Sequence, residues 1–166
     1  MSRTGAPPNE PIAAFDVQAD GKLAVVLRPA TGGSDVLAWR APGAGALHRL
    51  PLRVGLPFAG PAVRLVDDRI VVVSARSQLV SADLRGGVRT LARFTAPVEQ
   101  AGGIDATQTS VTWASRRITS KRTDCPPPGQ GRPCILLKSG VETIWVAGLG
   151  AGAPRIAARW AFTDSP

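Results

Sequence analysis

The chain has 166 residues, enough for one domain with its own core, and its 20 Lys and Arg against 12 Asp and Glu give a formal charge of +8. A composition of 44% hydrophobic and 19% charged residues excludes full disorder. No apolar run reaches the roughly 20 residues of a transmembrane helix, and one His, no Tyr and two Cys exclude most nucleophilic triads and metal sites.

Residues 1–10 are Pro-rich and polar and are expected to be a flexible lead-in. They hold no apolar h-region, so the chain as written is not addressed for export. Beyond them, 18 Gly and 15 Pro make turns frequent and long helices improbable. Short runs rich in Val, Ile, Leu and Trp alternate with Gly, Pro, Asp and Ser clusters, the pattern of strands and turns.

The runs repeat. Asp20-Gly-Lys-Leu-Ala-Val-Val-Leu-Arg28 is a turn followed by an apolar strand, and Asp67-Asp-Arg-Ile-Val-Val-Val-Ser-Ala-Arg76 is the same device. Thr107 to Arg117 is a third copy. The anchors Leu23, Ile70 and Val111 lie 47 and 41 positions apart, which is β-propeller blade spacing. Each copy divides into four strands. The first spans 12–18, 22–28, 35–40 and 47–52. The second spans 62–66, 69–75, 78–84 and 88–94. The third spans 101–105, 111–118, 142–147 and 155–160.

With its Ala19-Asp-Gly-Lys-Leu-Ala-Val-Val-Leu27 strand, its Gly33-Ser-Asp-Val-Leu-Ala-Trp39 strand and its Gly45 to Leu50 tail, the first copy resembles the TolB-type WD-like β-propeller repeat. Ser74-Ala-Arg76 and Ser115-Arg-Arg117 look like that family's Ser-x-Arg strand end, from which Leu27-Arg28 departs. The resemblance covers residues 12 to about 162 and implies a fold rather than an activity. The expected architecture is all-β, with three four-stranded antiparallel propeller-like blades at about 11–53, 60–95 and 99–162 inside a domain of residues 11–166. Propellers close with more blades than three. The chain is therefore expected to be an incomplete propeller, with blades lying elsewhere, or a ring completed by a homodimer.

The third copy carries an insertion, 119–141, read as a loop. It holds both cysteines, Cys125 and Cys134, nine positions apart around a Pro/Gly-rich stretch. A Cys125–Cys134 disulfide closing the loop is expected; two free thiols are the rival reading. Two thiolates without further ligands do not make a zinc site. A disulfide implies an oxidising compartment. The missing leader implies the opposite, unless the true start lies upstream, and the expectation leans extracytoplasmic on that condition.

No cofactor is implied, and the inventory offers no nucleophile, base or metal set, so the chain is read as no enzyme. His48 is expected on a partly exposed strand, and Asp67-Asp68 in a turn. Gly148-Leu-Gly-Ala-Gly152 has no following helix to hold a phosphate and reads as a hairpin turn. Trp39, Trp113 and Trp145 are expected to pack between blades, with Trp160 at a missing neighbour.

Seventeen of the basic residues are Arg, a bias that a GC-rich genome produces by itself and that carboxylate or phosphate recognition also favours. Residues 116–138 hold six basic side chains against one acid, Asp124. Arg116, Arg117, Lys121, Arg122, Arg132 and Lys138 are thus the candidate site for an anionic partner, an acidic protein surface or an envelope polymer. No nucleic-acid module accompanies them. The functional expectation is a non-catalytic scaffold or binding module; the alternative is a piece of a propeller enzyme whose catalytic residues lie in other blades.

Overall fold

A computed structural model describes residues 10–30, 32–55, 63–95, 98–127, 133–150 and 152–164, the side chains of 99–102 excepted. Among them are twelve strands and no helix. Strands β1 (Ile12–Val17), β2 (Leu23–Leu27), β3 (Asp35–Arg40) and β4 (His48–Val54) form a first antiparallel meander. Strands β5 (Val63–Val66), β6 (Arg69–Ser74), β7 (Gln78–Asp83) and β8 (Val88–Arg93) form a second. The third is β9 (Val98–Ala106), β10 (Ser110–Asp124), β11 (Ile135–Gly148) and β12 (Arg155–Thr163). Of the expected lead-in 1–10, residues 1–9 lie outside the described residues. Glu10 accepts a 2.6 Å hydrogen bond from Arg49.

Local chemistry sets the hairpins. Asp20 Oδ1 accepts the Lys22 N–H at 2.8 Å and closes the β1–β2 turn, where Gly21 sits at φ 86°. Asp67 occupies φ 51° in the β5–β6 turn, a left-handed position that Asp tolerates, so Asp67-Asp68 is the turn its sequence indicated.

The first two meanders are not separate sheets. Val54 of β4 pairs with Ser74 of β6, and the Gly55 N–H donates to the Val73 carbonyl at 2.9 Å. One eight-stranded sheet results, beside the four-stranded sheet of β9–β12. Gly55 permits the approach, since a Cβ there would stand 2.8 Å from the Ser74 carbonyl oxygen.

Period-2 alternation gives each meander two apolar faces. Ala24, Val26 and Leu37 of the first meander pack against Val63, Leu65, Ile70 and Val72 of the second. Val71, Val73, Leu79 and Leu91 on the other face of the second pack against Ile104, Val111 and Trp113 of the third. Each fully buried Leu or Ile side chain in these layers contributes about 1.5–3 kcal/mol. Trp113 is buried, Trp39 and Trp145 are half-buried within the layers, and Trp160 is 43% exposed. The meanders also bond across their first strands. Asp16 Oδ2 accepts the Leu65 N–H at 2.8 Å, and Arg64 pairs with Asp105 at 3.6 Å.

Candidate functional site

The segment expected as a loop, 119–141, is mostly ladder. Strands β10 and β11 stay paired from Ser110↔Gly148 out to Asp124↔Ile135. Their neighbours stop earlier, β9 at Arg117↔Val98 and β12 at Ser139↔Thr163. Beyond that line, 118–124 and 135–138 form a two-stranded arm. Thr119, Thr123 and Ile135 supply the β-branched side chains that suit a strand. The Cys125–Cys134 disulfide joins the two strands at the arm's end, so the free-thiol reading is set aside.

Directly opposed residues of an antiparallel pair share a face. Arg117 opposes Val141 and Arg122 opposes Leu137, which puts Arg117 at the arm's base and Arg122 on the arm on one face of the β10–β11 ladder. Arg159 of β12 opposes Thr143 and joins that face, exposed. Lys121 opposes Lys138, two like charges on the other face. A bulge between Ile118 and Ser120 sets this division, because one extra residue reverses which side every later residue faces. Asp124 shares the face of Arg122.

Arg116 is committed elsewhere. Its guanidinium donates to Glu142 Oε2 and to Asp164 Oδ1, each at 3.0 Å, and lies 4.1 Å from the centre of the Phe162 ring. Its side chain is 28% exposed. It anchors the base of the arm rather than presenting charge. Arg132 lies outside the described residues. Of the six candidates, the structure brings Arg117 with Arg122 and Lys121 with Lys138. Arg159 was missed because it stands 42 positions from Arg117 in sequence, and only strand pairing brings the two near.

The other motifs have structural partners. His48 stacks on Trp39 with ring centres 4.9 Å apart. Within the Gly148–Gly152 motif, the Leu149 and Gly150 carbonyls accept from Arg89 at 3.0 and 2.6 Å, a cation-facing arrangement that suits no phosphate. Lys22 donates to Asp68 at 2.8 Å, and this bond raises its pKa while tying two hairpin turns together. Among the described residues no group of His, Cys, Asp or Glu is placed to hold a metal ion, and no helix is long and apolar enough to cross a membrane.

No family model matches this chain, and no curated protein matches it. The TolB-type reading therefore stands on the repeats alone. Among solved structures, the chain is similar to the N-terminal domain of Nup159, with a TM-score of 0.39 and 10% sequence identity. The match covers 87% of this chain and 47% of that one, so this chain spans about half its length.

Proposed function

We propose that this chain is a non-catalytic, propeller-type binding module whose basic arm engages an anionic partner, an acidic protein segment or an acidic polymer. The supporting observation is the arm itself: it projects beyond the sheet and carries exposed Arg122 on one side and Lys121 on the other, with exposed Arg117 at its base on the Arg122 side. The stacking of three meanders through their first strands supports the propeller reading. A two-stranded ribbon with cations on both sides suits a partner that wraps it better than a flat surface. The disulfide at its end suits an oxidising compartment.

The test is binding of fluorescent poly-L-glutamate, measured by anisotropy at low and high salt. The triple variant Arg117→Gln/Lys121→Gln/Arg122→Gln should bind at least about tenfold more weakly, and the wild-type affinity should fall with salt. Arg116 is left intact because its loss would loosen the fold. Equal binding by the triple variant, or none by the wild type at low salt, refutes the proposal. Duplex DNA serves as the comparison polyanion, and a preference for it would move the assignment to nucleic acid.

A further inference from the structure

Strand pairing makes three triplets equivalent. Phe15, Asp16 and Val17 of β1 oppose Val25, Ala24 and Leu23. Val63, Arg64 and Leu65 of β5 oppose Val72, Val71 and Ile70. Ile104, Asp105 and Ala106 of β9 oppose Trp113, Thr112 and Val111. Leu23, Ile70 and Val111 are the same repeat position, so the triplets occupy one structural site three times.

Their environments differ at the ends. Val63 and Ile104 are 0% and 1% exposed, because the preceding meander covers them, whereas the equivalent Phe15 is 63% exposed. Leu65 is 5% exposed and its equivalent Val17 is 56%. With Ile12, these residues form an apolar face over buried Val25, Leu27 and Ala38. It is the kind of face that the first meander itself covers on the second.

The opposite end holds the matching half. Thr112 and Ala114 are the equivalents of Ala24 and Val26, against which Val63 and Leu65 pack. At the end of the array they line an open groove of about 560 Å³ with Arg64, Asp105 and Ile144. The middle residue repeats too. Asp16 Oδ1 accepts its neighbour's N–H at 3.1 Å while Oδ2 takes the Leu65 N–H of the next meander. Asp105 Oδ1 accepts the Ala106 N–H at 3.0 Å in the same way, and its side chain is 79% exposed.

We propose that two copies of this chain associate head to tail. The β1 face of each copy, with Phe15 and Val17, fills the groove at Thr112 and Ala114 of the other, and Asp105 stands beside Val17 across the junction as Asp16 stands beside Leu65 within one chain. Two such junctions close a ring of six meanders. The inference rests on the propeller-type stacking proposed above and is independent of the arm.

Sedimentation of the full chain at micromolar concentration should show a species of twice the 17.2 kDa chain mass. Phe15→Asp and Thr112→Arg should each give a folded monomer with unchanged circular dichroism, since both positions lie on the open end faces. Mixing the two variants should restore a dimer, because one junction in the mixed pair is intact. A Val17→Cys/Asp105→Cys variant should form an intermolecular disulfide on oxidation. A monomeric wild type, a dimer insensitive to Thr112→Arg, or an open-ended polymer each overturns the proposal. Leu65→Ala, at the junction within one chain, tests the stacking separately. It should lower the melting temperature by several degrees in whatever state the chain associates, and an unchanged melt would remove the stacking reading itself.

Discussion

Gly140 stands opposite Ile118 at the base of the arm, beside the bulge. A Cβ built there runs into the backbone carbonyl oxygen of Arg117 and comes within 3.1 Å of the Phe162 ring. The carbonyl belongs to the ladder and cannot swing aside, and the ring carries the Arg116 guanidinium at 4.1 Å. Gly140→Ala therefore forces β10 and β11 apart where the arm begins. Overpacking of this kind costs about 1–3 kcal/mol. The reduced freedom of Ala in the unfolded chain returns about 0.4–1 kcal/mol. The net loss is about 1–2 kcal/mol, and at about 2–4 °C per kcal/mol for a chain of this size the melting temperature should fall by about 2–8 °C. Far-UV circular dichroism melts, checked for a single cooperative transition, measure it. Gly150→Ala is the control, because nothing lies within 4 Å of a Cβ at that position. Equal melting temperatures for the two variants would refute the steric argument.

Three further outcomes follow from the same structure. Arg116→Ala should cost about 1–2 kcal/mol in urea unfolding, discounted for partial exposure, and Arg116→Lys should recover only part, because one ammonium cannot reach two carboxylates and a ring; a neutral Arg116→Ala would contradict the anchoring role. Reducing Cys125–Cys134 removes a closure contributing about 2–3 kcal/mol to a loop of this length, so trypsin should cut faster after Lys121 and Arg122, and an unchanged rate would count against the clamp. The Asp83 carboxyl is held below the usual Asp pKa by the Gly87 and Arg85 backbone N–H groups in the β7–β8 turn. Its contribution is thus present above the unfolded pKa and lost as pH falls through the folded one. The stability gap between wild type and Asp83→Asn should close in acid; a gap constant with pH would exclude that linkage.

Most of the strand pattern was legible because the inner strands β2, β6 and β7 are buried on both faces and the chain is punctuated by turns. In the first two meanders the expected and observed strands differ by a residue or two at their ends, and Asp20-Gly21 and Asp67-Asp68 explain why. The outer halves of β10 and β11 were not legible. Thr119-Ser-Lys-Arg-Thr123 has no apolar alternation, since a two-stranded arm has no core to face. The join of β4 to β6 was also hidden, because it rests on one bridge and a missing Cβ at Gly55. The concentration of charge in 116–138 was plain in the sequence. Its partition was not: Arg116 meets Glu142 and Asp164, 26 and 48 positions away, and nothing local announces either.

The single bulged residue between Ile118 and Ser120 acts as a parity bit for the arm. With the bulge, Arg122 lies with Arg117 and Lys121 lies with Lys138. Were the ladder to run without it, Lys121 would join Arg117 and Arg122 would join Lys138, with no change in composition or net charge. Insertion or deletion of one residue near Thr119 would thus exchange the guanidinium and ammonium groups between the two sides. Chains of identical charge could in this way present different chemistry to a partner, and a comparison of related arms should count residues between Arg117 and Lys121 before it counts charges.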